Sequence, residues 1–242
     1  MTIFRFSVLP STNDEAFGRA EAGAPEWSCF VAETQTAGRG RLDRHWFSQS
    51  GNLYASIILR PKIIPSHAPQ LNFVAALAVD DTLRFLCPLS GLEMRLKWPN
   101  DVWIKQKKIA GILTELAAEG NRVKFVVLGI GINVNQKVFS NEISTRAISL
   151  FHLLHKKISV DLVLNQLLAY LKQRYGLYCD KGFSPIQKEW EEKSKLLGKK
   201  VMISDPNQSI EGIFQGLSDD GALLLKDDKQ HIHRIYTGDL TW

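Results

Sequence analysis

The chain has 242 residues, 45% of them hydrophobic and 23% charged, which describes a globular protein and excludes an intrinsically disordered one. Its length suits one large domain, or a medium domain with a small one. Thirty Lys and Arg against 25 Asp and Glu give a net charge of +5, which allows an anionic partner without demanding nucleic acid.

The N-terminus, MTIFRFSVLPSTND, has no basic segment leading into a long apolar run, so no signal peptide is expected. A first helix follows Ser11, where Thr12 and Glu15 have capping-box spacing and Gly23 is a stop. CFVAE (29–33) and NLYASIILRP (52–61) read as strands, the second ended by Pro61. Leu71, Val74, Ala75, Ala78, Thr82 and Phe85 follow helical spacing and predict a helix with a buried face, opened near Pro69. MRLKWP (94–99) is a short strand halted by proline. VWI (102–104) and IAGILTEL (109–116) flank the polar turn KQKK as a hairpin, and VKFVVLGIGINV (123–134) is an apolar strand running into glycines. Val160, Val163, Leu164, Leu167, Leu168 and Leu171 mark a second long helix. In SPIQKEWEEKSK, Ser184 is expected as cap, Pro185 at the first helical position and Gln187 as the capping-box partner, with Gly198 ending the helix. From Lys199 onward the pattern changes to short strands (VMIS, IEGIFQGLS, GALLLKD, HIHRIYT) between the turns DPNQ, DDG and DDKQ, which predicts a small β-barrel. So small a unit has little core of its own and should lean on the main domain.

No repeat and no apolar run near the ~18 residues of a membrane span occurs. Cys29, Cys87 and Cys179 are odd in number and widely spaced, with no CxxC, so neither a disulfide framework nor a zinc site is expected. That usage suits a reducing, cytoplasmic setting.

Four stretches carry candidate chemistry. TAGRGRLDRHW (36–46) sets Arg39, Arg41 and Arg44 on a backbone freed by Gly38 and Gly40, with Trp46 as an aromatic face. Guanidinium forks suit phosphate or carboxylate, although a solvated basic loop or a nucleic-acid contact would read the same way. KWPNDVWIKQKKIAGI (97–112) places Lys97, Asn100 and Asp101 around a proline turn. Pro-Asn-Asp alone is an ordinary turn, but it does not explain Lys108 beside an apolar strand, where a lysine needs an anion. GIGINVN (129–135) lacks the third glycine of a dinucleotide fingerprint, so it reads as a strand bared for a ligand, with Asn133 as an amide donor, or as a bulge in a core strand. PSTNDE (10–15) is a helix start, and its hydroxyls and amide also suit a polar small molecule.

Taken together, STN, ETQTAGRGRLDRHW, GNLYASIILRP, KWPNDVW with KKIAGIL, and GIGINVN closely resemble the biotin–protein ligases in order and spacing. The resemblance extends over essentially the whole chain, including GALLL (221–225) in the C-terminal segment. Any one motif is weak; the ordered set is specific. It implies an α+β fold, a mixed sheet flanked by helices and related to class II aminoacyl-tRNA synthetases, with a small C-terminal SH3-like β-barrel. The catalytic biotin- and ATP-binding domain would span 1–196 and the barrel 197–242. The implied reaction joins biotin and ATP into biotinyl-5′-AMP and pyrophosphate, with Mg2+ accompanying the ATP. The acyl group then passes to one lysine of a biotin carboxyl carrier protein, a subunit of acetyl-CoA carboxylase or a related carrier domain.

By the same resemblance, Lys108 and Arg41 are the catalytic pair beside the forming anhydride. Ser11, Thr12, Asn13, Gln35, Gly38, Arg39, Arg41, Lys108 and Gly111 match biotin-binding positions. Arg41, Arg44, Trp46, Lys97, Asn100 and Asn133 match ATP-binding positions. Asp101 either orients the acceptor lysine or binds the metal. The STN motif at residue 11 points to the monofunctional class, without the DNA-binding domain of bifunctional members; neither DNA nor membrane is an expected partner. The resemblance also allows a homodimer formed through a sheet edge, as in related proteins. One departure stands out: Asp43 occupies the position of the loop's last glycine, and left-handed geometry there would cost it about 1–2 kcal/mol and disfavour a closed loop. A lipoate ligase or octanoyltransferase of the same fold is the nearest alternative, disfavoured by the GRGR loop with KWPND and KKIAGI. A non-catalytic nucleic-acid-binding module is another, with no helix-turn-helix or RNA-binding motif to support it.

Overall fold

The computed structural model describes residues 1–42, 44–88, 91–205 and 209–242. Seven strands form one mixed sheet: β1 (Thr2–Leu9), β2 (Ser28–Gln35), β3 (Leu53–Leu59), β4 (Met94–Lys97), β5 (Asp101–Ile104), β6 (Lys107–Glu119) and β7 (Arg122–Ile132). Their order is β1-β2-β3-β7-β6-β5-β4, with β1 parallel to β2 and every other pair antiparallel. The sequence reading did not foresee β1. It is an edge strand, mostly exposed, with Arg5 in its middle, so it lacks the apolar run that betrays the central strands.

Strand alternation divides the residues between two faces. On β3, Leu53, Ala55, Ile57 and Leu59 join the main core, as do Val126, Leu128, Ile130 and Ile132 on β7. Over this face lie α2 (Gln70–Leu86), α4 (Val160–Lys181) and α5 (Ser184–Ser194). On the opposite face Ile58, Phe125 and Val127 pack with Ala16 and Ala20 of α1 (Thr12–Glu21). That helix covers only part of the face, and the remainder is free for a site.

Several local expectations are corrected. Ser11, not Thr12, caps α1, its Oγ accepting from the Asp14 N–H at 3.4 Å; Glu15 pairs with Arg19 one turn on. Gly23 does follow the helix end, at φ +89°. Phe85, placed on the buried face of α2, is 53% exposed, and Leu83 fills the core in its stead. The β5–β6 turn is only Lys105–Gln106, both at positive φ, so Lys107 and Lys108 already belong to β6. A short helix α3 (Leu150–Leu154), capped by Ser149, was not foreseen. Ser184 is the first residue of α5 rather than its cap. Gln187 closes no capping box there; its amide donates to the Leu217 carbonyl at 2.8 Å. The helix stops at Ser194, ahead of Gly198, where Lys195 turns left-handed.

The C-terminal segment is a five-stranded antiparallel sheet, β8 (Lys200–Ser204), β9 (Ser209–Leu217), β10 (Leu223–Lys226), β11 (Ile232–Ile235) and β12 (Asp239–Thr241), in the order β11-β10-β9-β8-β12. The sequence reading missed β12, which is only three residues long. This sheet leans on the main domain, as its size requires. Glu191 Oε1 accepts from the Leu217 N–H at 2.7 Å, and Gly221, at φ +84°, has no room for a Cβ because Phe73 lies 2.8 Å from where it would stand. No helix among the described residues is long and apolar enough to cross a membrane.

Candidate active site

The uncovered part of the sheet face is floored by glycine. Register aligns Tyr54, Gly131, Gly111, Asp101 and Lys97 across β3, β7, β6, β5 and β4, and Ser56, Gly129 and Leu113 in the next row but one. Direct cross-strand partners share a face, so three adjacent positions that would project side chains project none. A Cβ on Gly131 would stand 2.7 Å from the Trp46 indole, and one on Gly129 would stand 2.1 Å from Asn13 Oδ1. Above this floor opens a cavity of about 700 Å³.

One end is polar. Ser56 Oγ lies 2.8 Å from Thr12 Oγ1 and 2.6 Å from Asn13 Oδ1. Gln35 Oε1 accepts from the Thr12 N–H at 2.7 Å, and its amide donates to Ser48 Oγ at 2.8 Å. Asn13 donates to Glu115 at 2.7 Å. Because Ser11 does the capping, the Thr12 hydroxyl is released to this network. Thr12, Asn13 and Ser56 are nearly fully buried, so the network is fixed before a ligand arrives.

The other end is cationic. Lys108 Nζ lies 2.6 Å from Asp101 Oδ1 and 5.1 Å from the Trp46 ring centroid. The β5–β6 pairing shifts between Val102 and Trp103, and Lys108 Nζ sits 3.1 Å from where a Cβ on Gly111 would stand. Lys97 Nζ is 4.0 Å from the Trp103 ring. Burial pulls the Lys97 ammonium below its ordinary range, with Asp101 and Asp239 acting in the opposite sense. Burial does the same to the Arg41 guanidinium, again against Asp101 and Asp239. Asn100 Nδ2 donates to the Ile112 carbonyl at 2.6 Å, and Asn133 Nδ2 to the Ile148 carbonyl at 3.1 Å; both amides brace the wall.

Of the positions expected from sequence, Ser11, Thr12, Asn13, Gln35, Arg39, Arg41, Arg44, Trp46, Lys97, Asn100, Asp101, Lys108, Gly111 and Asn133 all line this one cavity. Gly38 does not. It sits behind the wall, where a Cβ would meet Ser48 Oγ and the Trp46 carbonyl at 2.6 Å, and its own carbonyl accepts from the Trp46 N–H. Arg39 is turned to the rim, paired with Asp14 and, at 3.2 Å, with Glu115. The expectation for Asp43 lies outside the described residues. Sequence reasoning missed Glu115, Ser56 and Asp239. Ser56 could have been found from the alternation of NLYASIILRP, since it shares a face with Tyr54. Asp239 carried no signal, because its strand was unrecognised.

Magnesium fits poorly as a protein-held ion. No three His, Cys, Asp or Glu side chains gather as a metal site among the described residues. Asp101, the expected ligand, is instead ion-paired through Oδ1 with Lys108. What the cavity can do is hold a small molecule with a polar head at one end and bring anions together at the other.

Residues 6–133 match the model of the biotin/lipoate A/B protein ligase family, and residues 196–240 that of the biotin protein ligase C-terminal domain. The chain is 40% identical over 236 residues to the bifunctional ligase/repressor BirA of Bacillus subtilis, covering 96% of this chain and 71% of that one. It is 34% identical to the biotin--[acetyl-CoA-carboxylase] ligase of Paracoccus denitrificans over 89% and 90% of the two. Among solved structures, the biotin protein ligase from Aquifex aeolicus in complex with biotin and ATP is similar at a TM-score of 0.84 and 32% identity, covering 99% of this chain and 97% of that one.

Proposed function

The chain belongs to the biotin protein ligases of the biotin/lipoate A/B protein ligase family, and from that premise we propose that it activates biotin with ATP as biotinyl-5′-AMP and transfers it to a lysine of a biotin carboxyl carrier protein. One observation carries the reading: Arg41 and Lys108 line the same cavity, over a glycine floor that begins at a buried polar cluster. We read residues 1–196 as the catalytic unit and 197–242 as a C-terminal unit against it.

In the first step a biotin carboxylate oxygen attacks the α-phosphorus and pyrophosphate leaves. The two reactants are anions. Unit charges 4 Å apart repel by roughly 1 kcal/mol in water but about 4 kcal/mol at an effective dielectric near 20. A site that excludes water must therefore supply cations, which Lys108 and Arg41 do. Thr12, Asn13, Ser56 and Gln35 suit the ureido head, whose two N–H groups and carbonyl need partners of both kinds. The apolar ring and tail run alongside the Trp46 indole, which itself rests on Gly131 and Gly111.

In the second step a neutral carrier amine attacks the anhydride carbonyl and AMP leaves, while the amine gives up a proton. No enzyme nucleophile is needed. We assign Asp101, which lies 2.6 Å from Lys108, the role of orienting the incoming amine. Magnesium would supply neutralisation of phosphate charge, entering with the nucleotide.

Incubation with ATP, magnesium and biotin tests the assignment. Biotin-dependent pyrophosphate release is expected. Release that depends on lipoate, and not on biotin, would overturn it.

A further inference from the structure

The arginine loop is held at both ends of the molecule. Arg39 is tied to α1 and β6 through Asp14 and Glu115, whereas Arg41 and Arg44 reach across to the C-terminal sheet. Arg41 donates to Thr237 Oγ1 at 2.8 Å. Arg44 makes a two-pronged pair with Asp239, one prong at 2.9 Å.

The strand that receives them is built for this. Leu240 is fully buried, while Asp239 and Thr241 on either side line the cavity, as a period of two requires. Gly238, at φ +137°, brings the chain against Ile203 and Ser204 where a Cβ would collide at 2.7 Å. Beyond it, the Trp242 ring lies 5.9 Å from Trp103 and 5.6 Å from Lys97 Nζ. Asp239 is thus fixed by its neighbours, and Arg44, on a glycine-containing loop, is the partner that can leave. The Arg44 fork holds the Asp239 carboxyl below its ordinary range, so the pair is ionised at neutral pH.

We propose that Asp239 is a positioning residue that latches the glycine–arginine loop over the cavity through Arg44, so that the C-terminal sheet retains the acyl-adenylate until the carrier arrives. This rests on the ligase reading above. The mixed anhydride is hydrolysed by water, so an enzyme that makes it before its acceptor docks needs a lid that stays shut.

The test uses the full chain. Biotinyl-adenylate is formed on the enzyme, excess ATP is removed, and loss of the adenylate is timed without carrier. Because the pair is partly exposed, its removal in Asp239→Asn is expected to speed loss by about three- to fivefold. Asp239→Glu should restore the original lifetime. Salt should speed loss in the parent and not in Asp239→Asn. A lifetime changed less than twofold overturns the latch, and so does a longer one, which would mean that Asp239 competes with phosphate for Arg44. Trypsin cleavage after Arg41 and Arg44 gives a readout independent of biotin. It should quicken at least twofold in Asp239→Asn, while cleavage elsewhere keeps its rate. If the parent makes no adenylate, the ligase reading fails while this digest still decides the latch.

Discussion

The Lys108 ammonium lies 2.6 Å from the Asp101 carboxylate, and the two stand on adjacent strands at the cationic end of the cavity. Lys108 is therefore held in place by a charge that is itself only 18% exposed, and its direction is set before any substrate binds. Replacing it with methionine keeps the length and removes the charge. Biotin-dependent pyrophosphate release should fall by about 10²–10³-fold, the usual cost of one preorganised electrostatic contact. Biotin binding by calorimetry should weaken far less. Because the single change also strands Asp101, the double variant with Asp101→Asn should recover melting temperature without recovering rate.

The glycine floor gives a second prediction. Gly131 is not at positive φ, so alanine there strains no backbone. Its Cβ would instead meet the Trp46 indole at 2.7 Å. Gly131→Ala should keep a near-normal circular dichroism spectrum, lose about 1–3 kcal/mol of stability as overpacking does, and bind biotin more weakly because the Trp46 indole is pushed into the cavity.

The cysteines should be dispensable for chemistry. Burial pushes the Cys29 thiol up to about 12, against a weaker opposite pull from Arg5, so no thiolate forms at neutral pH. Cys87 is also buried and Cys179 is exposed. Iodoacetamide at pH 8 should add one adduct by intact mass, at Cys179, and leave pyrophosphate release unchanged. Inactivation in step with a second adduct would contradict this.

Stability of the C-terminal sheet should depend on Asp220 in the β9–β10 turn. Burial alone would raise its carboxyl, but Ser218, Arg234, the Ala222 N–H and Tyr236 all donate to it and hold it at about 2. A folded value below the unfolded one means stability that is full above about pH 4 and lost as pH falls through about 2. The amount is on the order of 2 kcal/mol. Asp220→Asn should lower the melting temperature by roughly 5 °C at pH 7, with the gap narrowing below pH 4.

The sequence was most legible where one physical rule decided an element. The central strands announced themselves by β-branched runs between turn residues, and α2 and α4 by helical periodicity. The ordered motifs supplied much of the cavity lining, because each is an unusual residue type for its surroundings: lysine beside IAGI, glycines inside a strand, arginines on a loop; they gave no sign of the wall that Gln136, Phe139, Ile143 and Arg146 add. What failed was fixed by tertiary context. β1 is an exposed edge that makes its place by hydrogen bonds to β2 rather than by burial. Gln187 fits a capping box locally but is drawn away by the Leu217 carbonyl, a partner 30 residues distant. Asp239 lies on a strand too short to show a period, and its pairing with Arg44 spans 195 residues. Arg39 reads identically to Arg41 in sequence, yet carboxylates from two other elements turn it toward the rim.

A surface made of bare main chain has reached the lower limit of side-chain size. No replacement at Gly111, Gly129 or Gly131 can deepen it, so every change there makes the compartment smaller. Anyone wishing to admit a bulkier analogue must work from the roof, and Trp46, whose indole rests on Gly131 and Gly111, is the largest removable volume there.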